Sequence, residues 1–343
     1  MAVTIKEIAA AAGVSRGTVD RVLHNRGGVK PDVAENIRRL ADAMGYLPNR
    51  AGKILAVRKQ PIKIGCLIPS IGNAFFDDVI KGIYSAQKDL ADFGVTVLVK
   101  KIRGYNPDDH IKALQELVES GSTALCISTV DICEVRNYVN QLVESGIPVV
   151  TVNTDLSDTK RLCYIGSDYL KGGYTAAGLL SLCARQKLNM LIVTGSLKIK
   201  GHNERIQGFS RKLKEYGIEY HLVDVFESQD DEDHAYRTAL ELFRKNQQIN
   251  CIFIAAAGAA GVCKAMEELG IRKKHPMWVL CFDDVAATRR LIHNGMIDFT
   301  ICQEPVQQGY QAIQILFTYF VDDKRIIPPD FLTGTVIKIK ENL

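Results

Sequence analysis

From Ile62 onward the chain alternates between short runs rich in Val and Ile and longer amphipathic segments. "KIGCLIP" leads into "FFDDVIKGIYSAQKDLADFG", then "VTVLVKK", then "PDDHIKALQELVESG". "ALCIS", "PVVTVN", "LCYIGS", "NMLIVTG", "YHLVDVF", "CIFIAA", "WVLCFD" and "DFTICQ" continue the strand-like series, most of them followed by a segment of helical spacing. Short apolar runs without polar alternation suit strands buried on both faces, and a repeated β-α order calls for parallel strands with crossover helices. Gly or Pro marks the ends of segments, as at Gly94, Gly121, Gly146, Pro148 and Gly270. The stretch is long enough for two doubly wound parallel sheets. Ligands of such open sheets sit beyond the carboxyl ends of the strands, so polar residues just after the strand-like runs become site candidates.

Residues 1–46 follow a different pattern. Thr4-Ile5-Lys6-Glu7 fits a capping box, with a short helix behind it that turns Ile5, Ile8 and Ala9 inward. Gly13 marks a turn, Ser15 caps a second helix running to about Leu23, and Pro31 opens a third helix that Gly45 ends. The spacing of Ala9, Gly13 and Val19 is that of a helix-turn-helix, in which a small residue, a flexible turn and an apolar contact let two helices pack. An ordinary three-helix bundle with a solvated basic face has the same pattern. Charge favours the DNA-binding reading. Residues 1–60 carry eleven Lys or Arg against five Asp or Glu, whereas the rest of the chain has two more acidic than basic residues. A basic head on a near-neutral body points to a polyanion partner. Residues 47–60 read as a basic connector, helical from Asn49 to Val57 when supported.

Met1 leads directly into a polar, capped helix with no signal-peptide core, and no apolar run is long enough to span a bilayer. The nine cysteines form no CxxC pair and no Cys/His ligand spacing, which fits buried, reduced thiols in a cytoplasmic protein. No metal site and no cofactor is called for. "GSLKIKG" is no Walker loop, and neither HExxH nor GxSxG occurs. The adjacent carboxylates Asp283 and Asp284 would point apart at a strand end. The reading is therefore not an enzyme.

"VTIKEIAAAAGVSRGTVDRVL" followed by "MGYLPNRAGKILA" resembles the head and hinge of the lactose/galactose repressor family. The resemblance implies an α/β fold class: an N-terminal three-helix helix-turn-helix head (1–46), a hinge (47–60) and a two-lobed, periplasmic-binding-protein-like sensor with two parallel doubly wound sheets (61–343). Lobe 1 is expected over about 61–166 and 304–322, and lobe 2 over about 167–303 and 323–343. By the same resemblance Arg16 and Gly17 occupy base-reading positions, and Arg21 lies near bases or phosphate. Thr4, Ser15, Thr18 and Asn49 match backbone contacts, Arg50 is counted with them, and Leu55 matches a leucine wedged into the minor groove. The chain departs from the family at four places. Gly17 has no side chain to read with, which leaves Arg16 as the main candidate reader. Gly52 replaces a hinge Ala, Lys30 replaces a Ser cap, and Asp20 replaces a Ser. Asp20 has two open roles: accepting from a cytosine amino group, or pairing with Arg16 or the neighbourhood of Arg21 and holding the reader in place.

For the sensor, "NAFF" resembles the N-x-F-F of ribose-type binding proteins, so Asn73 is assigned to a sugar hydroxyl and Phe75 or Phe76 to ring stacking. Asn153 and Asp155 follow "PVVTV", with Asp155 in place of the family's Asp-Arg pair. Asp168 follows "LCYIGS", Arg205 matches a sugar-contacting Arg, Asp283 ends "VLCFD" and Gln303 ends "DFTICQ". Carboxylates, amides, one Arg and aromatic faces suit a polyol. Asp155 and Asp168 read equally as helix N-caps, Phe75 as core. Ala256-Ala257 stands where the family has Asn-Asp. Lys198, Lys200 and His202 are either solvated or meet a phosphate or carboxylate. The expected protein is a homodimeric, cytoplasmic, ligand-responsive regulator of transcription. Its expected partners are double-stranded operator DNA and a sugar, polyol or sugar phosphate effector, and it has no membrane partner. The alternative, a secreted sugar-binding protein, would need a signal peptide.

Overall fold

The computed structural model describes residues 3–23, 27–46, 61–274, 276–322 and 329–343. It divides into two compact units, residues 1–56 and 57–343. In the first, α1 (Ile5–Ala12), α2 (Arg16–Leu23) and α3 (Pro31–Ala43) surround a small core of Ile8, Ala9, Val19, Val22, Ile37 and Ala41. The capping box forms as the sequence implies. The Thr4 hydroxyl accepts from the Glu7 N–H at 3.4 Å, and the Thr4 N–H donates to Glu7 Oε2 at 2.7 Å. Gly13, at φ +66°, closes α1. The Thr18 N–H donates to Ser15 Oγ at 3.1 Å and so caps α2. Lys30 supplies no side-chain cap to α3. The hinge lies outside the described residues, and with it the expectations for Asn49, Arg50, Gly52 and Leu55.

The second unit contains two six-stranded sheets. The first is built from β1 (Ile62–Ile71), β2 (Val95–Arg103), β3 (Ala124–Ile127), β4 (Val149–Val152), β5 (Cys163–Gly166) and β11 (Phe331–Leu332), in the order β11-β5-β4-β3-β1-β2. The second comprises β6 (Leu188–Thr194), β7 (Tyr220–Glu227), β8 (Cys251–Ile254), β9 (Trp278–Phe282), β10 (Phe299–Cys302) and β12 (Val336–Lys338), in the order β12-β10-β9-β8-β6-β7. All pairings are parallel except β12 on β10. Central strands such as β3 and β8 are buried along their whole length, because helices cover both faces. The edge strands β2 and β7 mix exposed with buried positions.

Helices α4 (Phe75–Leu90), α5 (Pro107–Glu119) and α6 (Cys133–Glu144) flank the first sheet with α13 (Pro305–Val321). Helices α7 (Tyr169–Cys183), α8 (Lys200–Glu215), α9 (Glu232–Lys245), α10 (Ala259–Glu268) and α12 (Ala286–His293) flank the second, with the short α11 (Ile271–Lys274) between α10 and β9. The chain crosses between the sheets three times: after β5, after β10 and after β11. The third crossing corrects the expected lobe boundary. Phe331 and Leu332 pair with Ile165 and Gly166 in the first sheet, so residues 323–343 do not all belong to lobe 2.

One buried polar cluster joins the three crossings. Ser167 Oγ lies 3.0 Å from Thr333 Oγ1, and Thr333 Oγ1 donates to the Gln303 carbonyl at 3.0 Å. Gln308 Nε2 donates to that same carbonyl at 2.7 Å. All nine cysteines are free thiols; seven are buried, Cys183 is half-buried and Cys133 is exposed, against the expectation that all are buried.

Candidate functional site

On α2, Arg16, Gly17 and Arg21 are exposed, while Val19 and Val22 face the core. The Ser15 and Thr18 hydroxyls lie 2.9 Å apart at the start of the helix. Asp20 is half-buried and sits close enough to Tyr46 for its charge, after burial, to help raise the phenol's pKa. The outer face of α2 thus presents two guanidinium side chains, Arg16 in its first turn and Arg21 in its last, on a backbone left open at Gly17.

Between the two sheets, residues from the carboxyl ends of the strands meet in a cleft. Asn73, Phe75 and Phe76 come from the β1 end, Tyr105 from β2, Ser128 from β3, and Asn153 and Thr154 from β4. Facing them are His202 and Arg205 on α8, Asp230 beyond β7, Ala256 and Ala257 beyond β8, Asp283 beyond β9 and Gln303 beyond β10. Asn153, Asp230 and Asp283 sit at φ +65°, +51° and +72°. Asn and Asp tolerate this left-handed region better than other side chains do, and such conformations gather at functional sites.

Arg205 is the most constrained member. It is 3% exposed, and its guanidinium carbon lies 4.3 Å from the Tyr169 ring centroid and 3.8 Å from that of Phe282. One terminal nitrogen donates to the Ala255 carbonyl at 2.7 Å, and Nε is buried without a partner. The close approach of α7 and α8 makes this position possible. A Cβ on Gly173 would stand 2.2 Å from the Arg205 carbonyl oxygen, so only glycine fits. Gln303, 4% exposed, donates its amide to Asp283 Oδ1 at 2.7 Å and keeps a buried Oε1 with no partner.

The electrostatics follow from enclosure. Burial pushes the Asp283 carboxyl above its ordinary value, against the opposing charge of Arg205 and the bond from Gln303. Burial also raises Asp230, against hydrogen bonds from Tyr105 and Asn73. Burial and the nearby Arg205 charge lower His202 to about 3, so its ring is neutral at pH 7.

Besides the Tyr105–Asp230 bond, three contacts draw the sheets together over the cleft. Asn73 Nδ2 donates to Asp230 Oδ2 at 2.8 Å, the Asp131 N–H donates to the Lys198 carbonyl at 2.9 Å, and Lys200 Nζ lies 3.4 Å from Asp155 Oδ2. The cavity they leave is about 30 Å³. Drug-sized ligands occupy roughly 300–1,000 Å³, so admission of a sugar-sized molecule requires the sheets to part.

Two expected residues are held elsewhere. Asp155 does not line the cleft: it binds Arg161 at 2.5 and 2.8 Å and accepts from Thr151 Oγ1 at 2.8 Å. Burial works to raise its carboxyl, but these bonds and the Arg161 charge together hold it below its usual value. Asp155 thus forms an ion pair with Arg161, six residues on, outside the cleft. Asp168 caps α7, accepting from the Lys171 N–H at 2.9 Å. The phosphate reading also loses its cations, since Lys198 is exposed, Lys200 pairs with Asp155 and His202 is neutral.

A larger groove of about 660 Å³ lies among α9, α10 and α12, lined by Glu232, Lys264, Glu267, Arg272 and Arg290. The polar character of the cleft is different. Thr154 Oγ1, Arg205 Nε and Gln303 Oε1 are buried there without partners, and among the described residues the groove has no such atom. Buried polar atoms left unpaired cost stability, so the cleft is the better candidate site.

Residues 64–324 match the family described as Periplasmic binding protein domain, and residues 4–49 match Bacterial regulatory proteins, lacI family. The chain belongs to the lacI family of bacterial regulators, with a periplasmic binding protein domain as its body. This lacI-family chain is 27% identical over 324 residues to a ribose operon repressor of Lactococcus lactis subsp. lactis, covering 93% of this chain and 91% of that one. It is 24% identical over 286 residues to catabolite control protein A of Priestia megaterium, covering 83% of each. Its body matches the crystal structure of GanP, a glucose-galactose binding protein from Geobacillus stearothermophilus. That match has a TM-score of 0.75 and 25% identity, over 83% of this chain and 99% of the other. No helix of the described residues is long and apolar enough to cross a membrane.

Sequence reasoning missed Tyr105, Ser128, Tyr169 and Asp230 as cleft residues of this regulator. The strand-end rule would have reached Tyr105 and Asp230 had it been extended a few residues past β2 and β7.

Proposed function

We propose that this lacI-family regulator is a cytoplasmic homodimer that represses transcription by binding a near-palindromic operator, and that a sugar or related polyol in the cleft between the two sheets alters operator affinity. In this reading α2 lies in the major groove, with Arg16 reading a base and Arg21, Ser15, Thr18 and Thr4 securing the backbone. Asn49, Arg50 and Leu55 serve the hinge at the operator centre. Two heads are needed because half-sites are spaced by helical turns of DNA. In the cleft, Asn73, Asn153, Arg205, Asp283 and Gln303 bond hydroxyls, and Phe75 and Phe76 cover the ring.

The observation that carries the effector reading is Arg205, which lines the strand-end cleft, is buried between Tyr169 and Phe282 and has an unpaired Nε. The relatives named as repressors support the DNA half. The test is a thermal-shift screen of the full chain against sugars and polyols, followed by fluorescence anisotropy on an operator fragment with each hit. A ligand at 100 times its Kd should stabilise by about 2.7 kcal/mol and change operator affinity. Arg205→Met should remove both effects while leaving operator binding intact. A hit whose binding survives Arg205→Met binds elsewhere and ends the cleft assignment.

A further inference from the structure

The cleft carries more negative than positive charge. Among the described residues that line it, Asp230 and Asp283 are the carboxylates, and Arg205 is the one side chain with a fixed positive charge. His202 adds no charge at pH 7. The neighbouring ammonium of Lys200 is tied to Asp155 at 3.4 Å and does not line the cleft. With both carboxylates ionised, the enclosed site holds one uncompensated negative charge. Such a charge is costly away from water, and a second anion beside it is costlier still.

The hydrogen-bonding inventory has the same sense. A carboxylate only accepts, so Gln303 must turn its NH₂ toward Asp283, at 2.7 Å, and that leaves Oε1 as a buried acceptor without a donor. Asp230 Oδ1 and Gln303 Oε1 are thus buried acceptors without donors, and Asp283 has one donor, from Gln303. Arg205 Nε awaits an acceptor, and the Thr154 hydroxyl, which can donate or accept, is also without a partner. Two backbone carbonyls nearby are already used: Ala255 accepts from Arg205 at 2.7 Å, and Ala257 accepts from Ser228 Oγ at 2.8 Å. A primary ammonium offers three N–H donors and no acceptor, and a hydroxyl can accept from Arg205.

We infer that the ligand of this cleft is a polyol carrying a primary amine, its ammonium facing Asp230, Asp283 and Gln303 Oε1 and a hydroxyl facing Arg205. The inference rests on the cleft being the effector site, and it narrows the ligand from polyols at large to amino sugars and amino polyols. Apolar Ala256 and Ala257 leave one side of the ring without polar demand, consistent with a ligand whose polar groups lie toward the acids.

The experiment is isothermal titration of the full chain with four matched sets: 2-amino-2-deoxyhexoses, the parent hexoses, the N-acetylated amines and the hexuronates. At least one amine should bind about tenfold or more tightly than its neutral parent, with its N-acetyl and uronate counterparts weaker still. Asp283→Asn should erase that preference. A neutral sugar or uronate that binds as tightly as its amine counterpart overturns the inference, and so does a panel in which no amine binds. The two ideas separate cleanly. If a neutral sugar binds and Arg205→Met abolishes it, the cleft stands and the amine falls. If an amine binds with unchanged affinity in both Arg205→Met and Asp283→Asn, the site is not this cleft and both fall.

Discussion

Asn73 and Asp230, 157 residues apart in sequence, are joined by a 2.8 Å hydrogen bond from amide to carboxylate across the cleft. Asn73 also caps the start of α4 by accepting from the Phe75 N–H at 3.1 Å. Asn73→Ala therefore removes an interlobe bond and leaves an enclosed carboxylate short of a donor. Bonds to charged groups are worth about 1.5–3 kcal/mol, so urea denaturation of the full chain should show a loss of that order. A loss below about 0.5 kcal/mol would mean that solvent replaces the bond and that the lobes are held by other contacts.

Arg16 tests the DNA face. It is exposed on α2, one position before a glycine that cannot reach a base. Arg16→Ala should cost about 1–3 kcal/mol on the operator and relax preference at one base pair. The measurement is anisotropy against a set of single-position operator variants. A uniform loss across all of them would assign Arg16 to phosphate instead.

Asp20 sits on the same helix, half-buried and near Tyr46. Asp20→Ser should broaden operator choice without tightening binding to random duplex. Equal tightening on every duplex would show that the carboxylate acts only through repulsion of phosphate.

Gly173 lets α7 press against α8 beneath Arg205. In Gly173→Ala the new methyl meets backbone at 2.2 and 2.6 Å, which no rotamer relieves. The helices must separate, at a cost of about 1–3 kcal/mol or more. Ligand affinity should fall together with stability, because Tyr169 and Arg205 ride on the two helices. A lower melting temperature with unchanged ligand affinity would separate packing from recognition.

His202 gives a pH signature. Its folded-state value is about 3, against about 6.5 for a free histidine. Between these values the unfolded chain binds a proton that the folded chain refuses, so this residue makes stability fall as pH drops from about 6.5 toward 3. His202→Asn keeps an acceptor near the Ser196 N–H, which donates to His202 Nδ1 at 3.2 Å in the parent. The variant should lose less stability than the parent between pH 7 and pH 5 in paired thermal melts. Parallel pH profiles would show that His202 does not titrate in this way.

The architecture was legible in the sequence wherever burial leaves an unbroken apolar run. Strands such as β3 and β8 announce themselves because both faces are covered, and the head is legible because Thr4, Gly13, Ser15 and Pro31 act through local chemistry. The cleft was legible where a polar residue directly ends such a run, as at Asp283 and Gln303. Tyr105 and Asp230 were not, because β2 and β7 are edge strands whose polar positions blur where the strand ends. Asp155 and Asp168 show the opposite failure. Each follows a strand, yet Arg161 and the Lys171 N–H compete for their carboxylates. Sequence spacing alone does not decide that competition. The short β11 escaped because two residues pairing with a distant strand carry no periodicity.

Ser167, Gln303 and Thr333 bring the three crossings to one point. Two halves tied at a single spot by three segments of one chain have swinging about that spot as their least hindered relative motion. The motion open to the two halves has few degrees of freedom, and they share a pivot. Gln303 belongs to both ends of that lever, its side chain in the cleft and its carbonyl in the pivot. A molecule that engages the Gln303 side chain therefore bonds to a residue whose own carbonyl is fixed at the pivot.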